Sequence, residues 1–323
     1  MARLEPDCPT YEPNAIPIYR TFEEFANVGA AFTGKGTDPR TQHFSFQRPS
    51  ARDTERSKSF RANLQQLARH VEFDSRQLVL PNGAWPHSGK AIKDEDYSWV
   101  SNAATGTLVP IARNNEPVTY DAIASRSLRH VLAVQGADCQ AIFLYDPCSL
   151  VIGLAHAGWK PLVRNVVGNV IDAMEDLGAT RHTIRAYISP GAGDLYNAFN
   201  WDDNMEESVR EVFVQAGRDD LLAEPTIRHH LTSEDRAILR SALGREVPEG
   251  SSLKLLHLAL TELKLCGVRE GNISFSHDST IVERQLAPDR EGPLKYHSYR
   301  RERPDHGLSI SVLFLRCSDS KGI

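Results

Sequence analysis

Between residues 130 and 156 the chain runs through three apolar stretches, 130–134 (HVLAV), 141–146 (AIFLYD) and 150–156 (LVIGLAH), separated by a few polar residues. Each is apolar at consecutive rather than alternate positions, so each reads as a strand covered on both faces. Only Asp146-Pro147-Cys148-Ser149 joins the second to the third, a length that admits a hairpin and no crossover. A helix is expected over residues 161–177. There Val163, Val166, Val167, Val170, Ile171, Met174 and Leu177 recur at helical spacing. Pro161 suits the first turn of that helix and Gly178 the position just past its end. A strand at 184–189 leads into the turn Pro190-Gly191-Ala192-Gly193. A buried antiparallel hairpin interspersed with helices does not fit a doubly wound parallel sheet. It gives an α+β expectation with mixed sheets.

The flanks add elements around this centre. Residues 1–30 form a proline-interrupted lead-in, and residues 33–57 read as loop with one short strand at 44–46. Phe60, Leu64, Leu67 and Val71 mark a helix, and Val79-Leu80 runs into the turn signal Pro81-Asn82-Gly83. Helices are expected at 206–216 and 253–265, and strands at 273–276 and 309–315; residues 93–120 are polar and carry no period. No internal repeat or clear linker divides the chain. With 323 residues, 41% hydrophobic and 24% charged, it can bury a core without disulfide or metal. Its five scattered cysteines do not form a disulfide framework. A net charge of −5 and a pI near 6.2 argue against a dedicated nucleic-acid binder. No apolar run reaches the roughly 18 residues of a membrane span, and the first residues lack the apolar core of a secretory signal. The expectation is a reduced, cytoplasmic protein with neither nucleic acid nor membrane as partner.

Chemistry concentrates in the hairpin. With residues 146–149 as the loop, Tyr145 faces Leu150, and the same register sets Cys139 opposite His156 on one face. Their Cβ atoms would then lie about 4.5–5.5 Å apart. Such a pair can ligate one metal ion or form a thiolate–imidazole couple. The plain alternative is a small buried cysteine beside a satisfied core histidine. Asp138 beside the cysteine and the run His156-Ala157-Gly158-Trp159, where packing alone would ask for more aliphatics, weigh toward chemistry.

Other motifs carry less. Gly34-Lys35-Gly36 lacks the third glycine of a dinucleotide fingerprint, and no P-loop, nucleophile elbow, H-E-x-x-H or paired C-x-x-C is present. His229-His230 reads as a surface pair and His257 as packing. Residues 295–303 (KYHSYRRER) are a basic cluster, either a solvated face or an anion-binding edge. On a strand, Arg300 and Arg301 would point to opposite sides, Arg300 inward.

Ala137-Asp138-Cys139, then Asp146-Pro147, then Ala155-His156-Ala157-Gly158-Trp159 and the valine-rich helix resemble the laccase-domain family, also called the YfiH-like, multicopper polyphenol oxidase or purine nucleoside phosphorylase family. Its pattern is A-D-C, a strand ending D-P, then A-H-A-G-W-R-G and a helix. Ile188-Ser189-Pro190 through Tyr196 resembles its I-G-P…Y segment. Ser298-Tyr299-Arg300-Arg301 resembles its S-Y-R-R, and Phe60-Arg61 with Leu64 and Leu67 its N-R-x-x-L helix. The remaining family ligand lies in a Q-V-H-G segment, matched by Trp85-Pro86-His87-Ser88, which keeps only the histidine. Other departures are Lys160-Pro161 for R-G, 277–280 (HDST) for C-T, and Gly307-Leu308 for G-R; residues 219–250 form an apparent insertion.

The resemblance implies a single domain over residues 31–316 with a short tail at 317–323, folded as layered α/β/β/α with mixed sheets, of the cytotoxic-necrotizing-factor and YfiH type. It implies His87, Cys139 and His156 as catalytic residues and ligands of Zn²⁺ with an open fourth position, and Arg61, Lys160 and Arg300 as holders of phosphate or ribose. The implied activity is phosphorolysis of purine nucleosides, with adenosine deamination beside it. Three rivals stand: a cysteine hydrolase editing peptidoglycan precursors, with Cys139 as nucleophile and His156 as base; a copper polyphenol oxidase, ranked below zinc because one three-ligand cluster is too few for such copper sites; and a catalytically silent binding protein.

Overall fold

The apolar strands assemble into two mixed sheets in the computed structural model, which describes residues 16–50, 52–81, 85–193, 209–285 and 292–317. One sheet runs β1 (Ile18–Thr21), β2 (Val28–Thr33), β15 (Ser309–Leu315), β8 (Val131–Gly136), β3 (Leu78–Val79), β6 (Leu108–Ile111), β5 (Ser98–Ser101). The other runs β14 (Ile273–Phe275), β11 (Arg185–Ile188), β9 (Gln140–Asp146), β10 (Val151–Ala157), β7 (Ala122–Ser125), β4 (Ala91–Lys93). A separate ribbon pairs β12 (Arg228–His230) with β13 (Ser251–Leu253). The polar stretch without a period supplies β5 and β6 of the first sheet.

Side chains alternate along each strand, and the alternation sorts the core into layers. Ala141, Phe143 and Tyr145 of β9 and Ile152 and Leu154 of β10 enter the space between the sheets, with Ile123, Leu132, Tyr187 and Leu313. Ile142, Leu144, Val151 and Ala155 face outward. They meet α2 (Trp159–Val163), α3 (Val166–Asp176), α4 (Val209–Gln215), α5 (Ser233–Leu243) and α6 (Leu255–Leu265) in one core cluster. On the far side α1 (Thr54–Val71) lays Phe60, Leu64, Leu67 and Val71 on the seven-stranded sheet. The order is α/β/β/α. Among the described residues no helix is long and apolar enough to cross a membrane.

Four local expectations are corrected. The helix expected over 161–177 is broken at Asn165, whose φ of 63° separates α2 from α3; Asn is among the few residues that accept the left-handed region. Residues 44–46 form no strand, because Phe44 has φ 59° and the segment is instead pinned by Phe46 N–H to Leu308 C=O. Tyr299–Glu302 is one helical turn, α7, not a strand, capped by the Ser298 hydroxyl. The hairpin loop is residues 147–150, since Leu150 turns left-handed at φ 55°. Asp146 therefore pairs with Val151 and His156 with Ala141, two residues away from the expected register. A slip of two keeps every side chain on its expected face. Cys139 and His156 still share the inter-sheet side, as diagonal neighbours rather than a direct pair.

Candidate active site

His156 ends a central strand where the inter-sheet layer opens. Its backbone N–H donates to Asp121 C=O on the neighbouring strand, so Asp121 and His156 stand side by side. Asp121 is fully buried. Its Oδ2 accepts from the backbone N–H of Ser88 (2.7 Å) and of Gly89 (2.9 Å), and its Oδ1 from that of His87 (3.1 Å). One carboxylate thus holds the whole turn that carries His87. The turn is strained: His87 has φ 53° and Gly89 φ 76°. A Cβ at Gly89 would sit 2.2 Å from Arg164 C=O, so only glycine fits. The break between α2 and α3 explains itself here. It brings Arg164 to donate to His87 C=O (2.6 Å) and Asn169 to donate to Gly89 C=O (2.8 Å).

The ligating atoms of His87, Asp121 and His156 lie within 4.8 Å of one another. Asp121 Oδ1 stands 3.7 Å from His156 Nδ1, beyond hydrogen-bond reach, and that buried nitrogen has no hydrogen-bond partner. Cys139 is not in this compact trio but interacts with the same imidazole. Gly158 lies against the cysteine, for a Cβ there would be 3.0 Å from Cys139 Sγ and 3.6 Å from His156 Cε1. Glycine at 158 leaves the thiol room to approach the imidazole. Burial opposes a charged His156, yet the Cys139 thiolate and Asp121 more than offset it and raise the imidazole to about 9. His87 shifts the other way. Partial burial comes first and the charge of His156 next, with Lys160 and Arg164 adding smaller repulsions, so its ring is held neutral at lower pH than usual. Asp121 stays below its ordinary value: burial works against ionisation, and His156 with the Gly89 and Ser88 N–H groups overcomes it.

The His87, Asp121 and His156 donors, with a buried imidazole nitrogen that has no partner, form a set able to hold a metal ion. The two oxygens of Asp121 already serve three backbone donors, which suits it to position His87 through its turn.

The anion-holding residues expected from sequence are spread out. Lys160 lies beside the site, its Nζ 5.5 Å from the Trp159 ring and its charge felt by His87. Arg300 is tied next to Cys139 through its backbone, whose N–H donates to Asp138 Oδ2 (2.8 Å), while Thr280 donates to Oδ1 (2.6 Å). Arg61 extends from the exposed side of α1 to the carbonyls of Ala103 and Ala104 and shares no ion pair with the trio among the described residues. Arg301 is the inward arginine, 7% exposed and bound to the carbonyls of Thr280, Ile281 and Tyr296 and to Glu302. Lys295 pairs with Asp278 at 2.7 Å. Lys295 and Arg301 of the expected anion edge are therefore neutralised within the fold. Tyr196 lies outside the described residues. Sequence reasoning missed Asp121 and Arg164. The one available signal was a carboxylate placed directly before the small apolar run 122–124 (AIA).

With this geometry in place, the comparisons with known proteins agree. A purine nucleoside phosphorylase of Deinococcus radiodurans is 34% identical over 125 residues, 38% of this chain and 47% of that protein. The adenosine deaminase RL5 from an unknown prokaryotic organism is 28% identical over 122 residues, 38% of this chain and 44% of that protein. The chain thus spans less than half the length of these curated relatives. In fold it is similar to the hypothetical protein YfiH of Bacillus licheniformis, at a TM-score of 0.68 and 20% identity over 94% of this chain and 98% of that one. The profile described as multi-copper polyphenol oxidoreductase laccase matches residues 41–316. Matched over most of its length, the chain belongs to the multi-copper polyphenol oxidoreductase laccase family.

Proposed function

We propose that the chain is a zinc-dependent purine nucleoside enzyme that transfers the ribosyl C1′ from the purine nitrogen to a phosphate oxygen, with adenosine deamination as a side activity. One observation carries the reading: the His87, Asp121 and His156 donors converge within 4.8 Å, with the Cys139 thiol against the same imidazole. The phosphorylase and deaminase relatives support the substrate class. His87, Cys139 and His156 would hold the ion, and Asp121 would fix the turn that carries His87. When bound, zinc supplies a Lewis acid at the site. The chain does the rest. Lys160 presents a cation on the His87 flank, where an anionic co-substrate needs one, and Arg300 stands on the Cys139 flank. The backbone clamps on the His87 turn keep the site from reorganising during turnover. The test is metal analysis of purified protein with chromatography of adenosine and inosine reactions. Free base and ribose 1-phosphate are expected with phosphate present, and inosine from adenosine. Metal-bearing protein that leaves both nucleosides intact would refute the substrate assignment.

The Cys139–His156–Asp121 series also has the order nucleophile, base, orienting carboxylate, and the thiolate's influence on His156 favours a cysteine hydrolase as the second reading. Chelation separates the two, since a thiol nucleophile keeps its activity when metal is removed.

The raised His156 has a pH consequence. In metal-free protein its protonated ring contributes stability below the free-imidazole value of 6.5, and that contribution is lost as pH rises through about 9. The same proton must leave before a ligand forms. Zinc affinity, read by chelator competition, is expected to rise about tenfold per pH unit from 7 to 8. An affinity flat over that range would rule out a proton-competing histidine ligand.

Gly158→Ala places a methyl at ordinary backbone angles against the Cys139 sulfur. Turnover is expected to fall by about 10- to 100-fold, as for other disturbances of ligand positioning, with little change in the melting temperature. Unchanged kinetics would show that the thiol need not lie close to His156.

A further inference from the structure

His156 has only weak restraint from its carboxylate neighbour, because 3.7 Å is too long for a hydrogen bond. The terminal torsion of a histidine is broad, so something else must set the plane of this ring. Trp85 is in place to do so. Its indole lies 4.8 Å from the imidazole at 31°, near a stacked arrangement. The indole is itself braced. Arg48 places its guanidinium 5.5 Å from the ring centre, and Tyr120 meets it edge-on at 6.3 Å and 83°. Arg48 in turn donates to Gln135 Oε1 (2.6 Å) and to Pro81 C=O (2.5 Å). Gln135 belongs to the seven-stranded sheet and His156 to the six-stranded one. The series Gln135, Arg48, Trp85, His156 therefore links the two sheets at the mouth of the site, and Trp85 stands two residues before His87 on the turn that Asp121 clamps. The residue is only half-buried, at the margin of the inter-sheet core rather than inside it.

We propose that Trp85 is a positioning residue that clamps the imidazole plane of His156 and so organises the metal site; this rests on the reading of that site as a zinc centre. The stack acts through van der Waals contact and ring electrostatics. A benzene ring preserves it, whereas a methyl or an amide does not.

The test titrates zinc against a chromophoric chelator for wild type, Trp85→Phe, Trp85→Ala and Trp85→Gln, with thermal melts on the same samples. Trp85→Ala and Trp85→Gln are expected to bind zinc 10- to 100-fold more weakly, the usual loss when a partner orienting a ligand is removed, and Trp85→Phe within about threefold of wild type. If Trp85→Ala does not fold, Trp85→Gln decides. Wild-type affinity in Trp85→Gln or in folded Trp85→Ala overturns the clamp while leaving the zinc centre standing. A wild-type protein that takes up no zinc overturns both.

Discussion

Cys139→Ala is expected to lower inosine turnover by more than about a hundredfold, beyond the 10- to 100-fold typical of residues that only orient a ligand. The melting temperature should stay within about 3 °C of wild type. Cys139 is partly exposed at the start of a strand and outside all three core clusters, so its truncation creates no large cavity. Steady-state kinetics with thermal melts reads both parts at once. A variant that is active, or one already unfolded at room temperature, would remove Cys139 from the chemistry or make its cluster structural.

Asp121→Ala is expected to fail differently. Three backbone N–H groups of the His87 turn lose their acceptor, and each buried donor left unpaired costs about 1–3 kcal/mol. Water can reach part of this exposed turn, so a total near 3 kcal/mol is expected, a fall of about 4 °C in melting temperature. Zinc affinity should drop with it, because the turn that carries His87 loses its anchor. Asp121→Asn restores little, since its amide NH₂ must face donors. A low-pH arm follows from the lowered carboxyl. Its contribution is present above the free-carboxylate value near 4 and is lost as pH falls through the folded one, so wild type and Asp121→Asn should converge in stability in acid. Variants as stable as wild type at neutral pH would show that the turn holds itself.

The contrast between these residues explains what could be read from sequence. The shared face of Cys139 and His156 was legible because strand parity survives a register slip of two; the register itself was not, since nothing local marks Leu150 as the residue that turns left-handed. The amphipathic stretch 163–177 was legible as helix, but its break was not, because hydrophobic spacing continues across Asn165. Asp121 was hidden for a thermodynamic reason. A buried carboxylate is tolerated only through partners 32 to 35 residues away in the chain, and no window of sequence contains both. Arg301 was misjudged because one helical turn, not a strand, sets its direction.

The proposed phosphorolysis depends on a metal held by His87, Cys139 and His156. Protein stripped with chelator and then restored with one equivalent of zinc, given inosine and phosphate, tests it most directly. Ribose 1-phosphate formation is predicted to vanish on stripping and return with zinc. Equal formation before and after stripping, or none in the zinc-restored protein, would contradict it.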